Sequence, residues 1–155
     1  MNSLKNVFFS FNVSFWIIQL FSFNQSFAEE IVYSHAVVTT FKGEEILVEV
    51  ADTIKKRSLG LGKRISLKNS WGMLFVFEKR KQHRFWMKNM LFPLDIIWLD
   101  NNKIVHITHN AKPDNYKDDP EVITSPVPVN FVLEIAAGRA STLQLKAGQR
   151  MKFKF

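Results

Sequence analysis

The sequence predicts an α+β domain built on one dominant, mainly antiparallel sheet that curls toward a barrel, with one or two short helices. Two observations carry this reading. Short runs rich in Val, Ile and Phe recur from residue 36 to the end, punctuated by Gly, Pro, Asn and Asp. Only two stretches carry helix signals, near 54–61 and 141–145. About seven strands follow from this pattern.

Taken in order, Ala36 to Phe41, the turn Lys42-Gly43-Glu44, and Glu45 to Val50 read as a hairpin. In the second run Ile46, Val48 and Val50 alternate with Leu47, Glu49 and Ala51, as a half-buried strand requires. Asp52 or Thr53 is positioned to cap the helix at 54–61, and Gly60 and Gly62 to end it. Lys55, Lys56, Arg57 and Lys63 are then expected on its solvent side.

Gly72 opens the strand Met73-Leu74-Phe75-Val76-Phe77, which is apolar on both faces and so predicted to be central. Glu78 to Gln82 reads as a charged turn. His83 to Met90 reads as the next strand, with Phe85, Met87 and Asn89 on one face and Arg84, Trp86 and Lys88 on the other. Pro93 interrupts regular structure. Ile96 to Leu99 and Ile104 to Thr108 flank an Asp100-Asn101-Asn102-Lys103 turn. Residues 110–128, with prolines at 113, 120, 126 and 128, read as a long surface loop. Phe131 to Ile135 is a buried strand with Phe131, Leu133 and Ile135 opposite Val132 and Glu134. Arg150 to Phe155, alternately basic and apolar, reads as an edge strand.

The N-terminal 28 residues are of a different kind. Lys5 is their only charged side chain, Val7 to Phe23 is mainly apolar, and Ser26-Phe27-Ala28 sets small residues at a cleavage position. This is the pattern of a secretory signal, so export, in a periplasmic setting, is expected. The alternative is an uncleaved inner-membrane anchor over 7–23. A spanning helix needs roughly 20 mainly apolar residues, and Ser10, Asn12, Ser14, Gln19 and Ser22 interrupt this stretch. Cleavage after Ala28 removes Lys5 alone among charged groups, leaving 127 residues with 20 basic against 14 acidic side chains, net +6. A basic exported domain suits an envelope glycan or an anionic lipid as partner rather than nucleic acid. The chain has no cysteine, which excludes disulfides, thiolate catalysis and thiolate metal sites.

Several motifs occur together: Gly72-Met73-Leu74-Phe75-Val76-Phe77, Phe85-Trp86-Met87-Lys88-Asn89-Met90, Pro93-Leu94-Asp95-Ile96-Ile97, and Val132-Leu133-Glu134 with Ala137-Gly138. In these the chain resembles the domain-of-unknown-function 192 (DUF192) family over about residues 37–154. The resemblance implies a small bacterial or archaeal protein, often with an N-terminal signal or membrane segment, and no particular activity. Two departures stand out. The family's Gly-Leu-Met-x-Arg is Gly60-Leu61-Gly62-Lys63-Arg64 here, and its Asn-Thr is Asn89-Met90.

The candidate ligand-binding residues are Trp86, Lys88, Asn89, Asp95 and Glu134. Trp86 offers a flat stacking surface, and a bend at Pro93 is expected to return Asp95 toward Lys88 or Asn89. The architectural alternative is that Asp95 and Asn89 accept backbone N–H groups of the irregular segment 89–94. Glu134 has two readings. It is either one of two carboxylates, with Asp95, for glycoside chemistry, or a salt-bridge partner of Lys88 or Arg139. His35, His83, His106 and His109 show no metal-ligand spacing. Ser125, Ser141 and Thr142 lack a nucleophile motif, and no phosphate-cradling glycine loop is present. No catalytic residue, metal or cofactor is therefore expected. The leading expectation is a non-catalytic binding or accessory domain of the cell envelope. The alternatives are a small hydrolase of an envelope polymer and a partner of a membrane assembly that docks through 110–128.

Overall fold

The computed structural model describes residues 30–114 and 122–155. Residues 1–29, which include the expected export signal, and residues 115–121 of the expected surface loop lie outside them. The described residues form nine strands and two short helices: β1 (Ser34–Thr39), β2 (Glu45–Ala51), α1 (Ile54–Leu59), β3 (Trp71–Lys81), β4 (Arg84–Trp86), β5 (Leu94–Asp100), β6 (Lys103–Ala111), β7 (Val122–Thr124), β8 (Val129–Ala136), α2 (Arg139–Thr142) and β9 (Lys152–Lys154). Seven strands make the main sheet in the order β6-β5-β8-β3-β2-β1-β9, and β4 and β7 make a separate two-stranded ribbon. All pairings are antiparallel except β2 with β3, which the α1 crossover makes parallel.

The main sheet curls until its edges approach. The lead-in to β9 hydrogen-bonds with the start of β6, where Ile104 N–H donates to Gln149 O at 2.9 Å and Met151 N–H to Asn102 O at 2.8 Å. Further along, Phe153 pairs with Val38 of β1. The C-terminal segment thus touches both edges of the sheet, and its basic and apolar alternation reflects a strand with one face inward.

Because the strands alternate, each face of the sheet builds its own core. The concave face carries Val38, Ile46, Val48, Val50, Leu74, Ile97, Leu99, Leu133 and Ile135, with Ala140, Leu143 and Leu145 after β8 packed against them. The convex face carries Met73, Phe75, Ile96, Trp98 and Val132, covered by Leu61, Met87 and Met90. Strand β3 lies between β2 and β8 and is buried on both faces, as its unbroken apolar run predicts. Gly72 is required there, because a Cβ at that position would stand 2.7 Å from Glu134 O.

Two strand boundaries differ from those expected. The charged run at 78–81 is not a turn but the end of β3, which bulges against β8 between Val76 and Lys81. The strand expected over 83–90 is three residues long and leaves the main sheet to pair with Val122–Thr124, inside the expected loop. Asn89 takes a left-handed conformation with φ 63°, so the two-face alternation expected there ends at Trp86. Asparagine tolerates that conformation better than most residues. Thr53 caps α1, its side chain accepting from Lys56 N–H at 3.2 Å.

Candidate functional site

A cleft of about 380 Å³ lies over the convex face of the sheet. One wall is α1 with the following loop to Lys63, and the other is β4 with its extension to Met90. Local signals place both walls. Gly60, at φ 50°, turns the chain out of α1. The loop is then held by Lys63 N–H donating to Asn89 O at 2.7 Å, and by Arg64 gripping Glu49 through two hydrogen bonds of 2.8 and 2.6 Å. The second wall is anchored by Phe85, whose ring meets Phe75 at 5.0 Å and Trp98 at 5.3 Å, both edge-to-face.

The chemistry of the cleft is layered. Its inner surface is aromatic, from Phe75, Phe77 and Phe85. His83 stacks on Phe77 at 3.5 Å, and its Nε2 is buried without a hydrogen-bond partner among the described residues. Burial pushes the His83 imidazole below its usual range. Arg57 lies over the other side of the inner wall, 5.1 Å from the Phe77 ring, and donates to the carbonyls of Asp52 (2.6 Å) and Val76 (2.8 Å). The expected solvent-facing position of Arg57 is therefore corrected: its guanidinium ties α1 to β3. At the mouth are exposed Lys63, Arg84 and Lys88, none of them ion-paired among the described residues, with the exposed apolar groups Ile54, Leu59 and Trp86.

Glu134 is the acidic residue among the described lining of the cleft. It sits on β8 in register with Met73 on one side and Ile96 on the other, both fully buried. It is 6% exposed, and no described residue hydrogen-bonds or ion-pairs with its carboxyl. Desolvation pushes its pKa up to about 8, so the group is mostly protonated at neutral pH. The expected salt bridge to Lys88 or Arg139 is not formed.

The structure thus gathers Trp86, Lys88, Asn89 and Glu134 around one cleft and leaves Asp95 out of it. Asp95 pairs in register with Ile135, one residue beyond the Glu134–Ile96 pair, and so points to the opposite face. It is fully buried and accepts Asn110 N–H and Ala140 N–H, each at 2.9 Å. The expected return of Asp95 toward Lys88 or Asn89 is corrected, and so is its pairing with Glu134. The backbone groups it accepts belong to β6 and α2, not to segment 89–94. The cleft also contains Arg57, Lys63 and Arg84, which the sequence reading did not single out. The parallel β2–β3 crossover brings the α1 wall to the site, and no spacing in the sequence announces it.

The geometry matches known proteins at the level of family. The profile of the DUF192 family, described as an uncharacterized ACR, matches residues 37–153. The chain belongs to the DUF192 family. Among solved structures, a Sinorhizobium meliloti protein provisionally described as a transcription regulator is similar, with 31% identity and a TM-score of 0.71. That match covers 80% of this chain and 97% of the other. A protein of unknown function from Novosphingobium aromaticivorans is similar at 29% identity and a TM-score of 0.68, with coverage of 81% and 88%. No curated protein matches the chain. The family motifs fall on the floor and one wall of the cleft, in β3, 85–90 and β8, and also on Asp95, which serves the other face.

Proposed function

We propose that this DUF192 protein is a non-catalytic binding domain of the cell envelope, and that its cleft takes a ligand through an anionic group, a phosphate or a carboxylate. The observation that carries this reading is the trio Lys63, Arg84 and Lys88 at the mouth, unpaired among the described residues and set around exposed Trp86. With Glu134 mostly protonated, no negative charge among the described lining residues offsets them at neutral pH. Such a site attracts anions from a distance and holds them at short range.

A non-catalytic role is supported by the same geometry. Glycoside hydrolysis needs two carboxyls facing one bond, and Asp95 and Glu134 face opposite sides of the sheet. The export pattern of residues 1–28 supports an envelope setting. The description given to the Sinorhizobium protein does not favour a nucleic-acid role here. The two described helices span six and four residues, too short for the recognition helix of a helix-turn-helix reader.

The test is equilibrium binding of the full chain to acidic glycan fragments and, separately, to vesicles of anionic lipid. Saturable, salt-sensitive binding to one of them is expected, with at least about a tenfold loss when Lys63, Arg84 and Lys88 are all changed to Gln. Binding to neither, or undiminished binding by the triple variant, overturns the proposal.

A further inference from the structure

The mouth cations account for one end of a ligand and leave the floor unexplained. A carboxyl on a central strand between Met73 and Ile96, without a hydrogen-bond partner among the described residues, is costly. An apolar residue at 134 would pack the same space without that cost. Buried groups kept against stability commonly mark sites. The described cations of the cleft do not serve it. Arg57 is spent on two carbonyls, and Lys63, Arg84 and Lys88 are exposed at the mouth.

What surrounds Glu134 identifies its missing partner by chemistry. The floor combines a carboxyl with the rings of Phe75, Phe77 and Phe85, and both carboxylates and ring faces attract cations. A free cation is repelled by the mouth. A cation tethered to an anion is drawn by both ends of the cleft.

Resting on the anion site proposed above, we infer that the cleft binds a small zwitterion end-on, its primary ammonium on the Glu134 carboxylate and its phosphate or carboxylate on Lys63, Arg84 and Lys88. A primary ammonium is favoured over a quaternary one because a desolvated carboxylate needs hydrogen-bond donors. The ammonium keeps its own protons, and Glu134 must lose its proton to pair with it. Binding at neutral pH therefore releases that proton to solvent.

Phosphoethanolamine is the probe, titrated calorimetrically into the full chain at neutral pH in buffers of different ionisation enthalpy. Ethyl phosphate, which lacks the amine, is the control, and its proton exchange is subtracted. The expected result is release of nearly one proton, at least about tenfold tighter binding than ethyl phosphate, and a similar loss in Glu134→Gln. Proton release is read on the unaltered protein, so the result does not hang on how the variant folds. The inference is overturned if phosphoethanolamine does not bind, if ethyl phosphate binds as tightly, or if no proton is released. Should ethyl phosphate match it while the Lys63/Arg84/Lys88 triple variant loses both, the anion site stands and the zwitterion fails. Should the triple variant keep phosphoethanolamine while Glu134→Gln loses it, the anion site fails and the ammonium pairing stands. Vesicles of phosphatidylethanolamine form a second arm. Binding stronger or weaker than to the free compound supports the site in either case and assigns its ligand to a lipid headgroup or to a free solute.

Discussion

Asp95 and Glu134 sit on neighbouring strands, one register step apart, and both are buried. They differ in what meets them. The Asp95 carboxylate reaches the concave side, where Asn110 N–H and Ala140 N–H each donate to one of its oxygens, joining β6 and α2 to β5. Glu134 reaches the convex side, where apolar neighbours flank it and the cleft opens above. One acid is architectural because the fold supplies its donors. The other, on the function proposed above, is open to a ligand because no described residue donates to it. Burial alone does not separate the two roles, and satisfaction of hydrogen-bonding capacity does.

The largest loss of stability on substitution that tests this contrast is at Asp95. Asp95→Asn keeps the shape but turns an NH2 group toward one of two backbone N–H donors. A lost charge-assisted hydrogen bond and an opposed donor together cost about 3 kcal/mol. Chemical denaturation is expected to show that loss, while any ligand affinity of the folded variant stays unchanged. Loss of affinity without loss of stability would reverse the assigned roles.

Glu134 is expected to behave in the opposite sense. Its pKa is about 8 in the fold against an ordinary value of 4.5. Folding therefore favours the protonated form, and the stability tied to it is complete below about 4.5 and falls away as pH rises through about 8. Wild-type stability should decline across that window, by at most about 1.4 kcal/mol per pH unit. Glu134→Gln should flatten the decline and be the more stable protein by up to about 4 kcal/mol near the upper end. Thermal or denaturant midpoints measured across the window check this, and equal slopes for both proteins would mean that Glu134 is solvated or paired.

The contrast was only partly legible in the sequence. The alternation of Phe131, Leu133 and Ile135 against Val132 and Glu134 places the two sides of β8 correctly, because a strand has a strict period of two. The central position of β3 follows in the same way from its unbroken apolar run. Pairing across strands is not encoded in any local period. The register that sets Ile96, not Asp95, opposite Glu134 comes from the whole sheet, and it separates two acids that the sequence invites one to join. The path after Trp86 is hidden for a similar reason. A left-handed Asn89, fixed by Lys63 N–H on its carbonyl, is a tertiary choice that converts an apparent strand into one wall of a cleft. Arg57, Lys63 and Arg84 look like an ordinary solvated surface in sequence and acquire significance only when the α1 crossover sets Arg57 and Lys63 beside Arg84 and the rest of β4.

The smallest expected stability effect belongs to Trp86, and there the two sides of the comparison meet. The side chain is 61% exposed at the cleft mouth on a three-residue strand. An exposed aromatic of this kind contributes little to folding, and Trp86→Ala should cost under about 1 kcal/mol. The same change should weaken binding of a ligand seated against its ring by about tenfold, since large aromatic contacts are the common anchors of recognition. Parallel measurement of the unfolding midpoint and of ligand affinity separates the outcomes. If stability falls by several kcal/mol and affinity does not move, Trp86 holds the β4 wall in place as Phe85 does from within, and the binding surface retreats to Glu134 and the mouth cations. If affinity falls while the midpoint holds, the exposed ring belongs with Glu134, among groups that the fold carries without using.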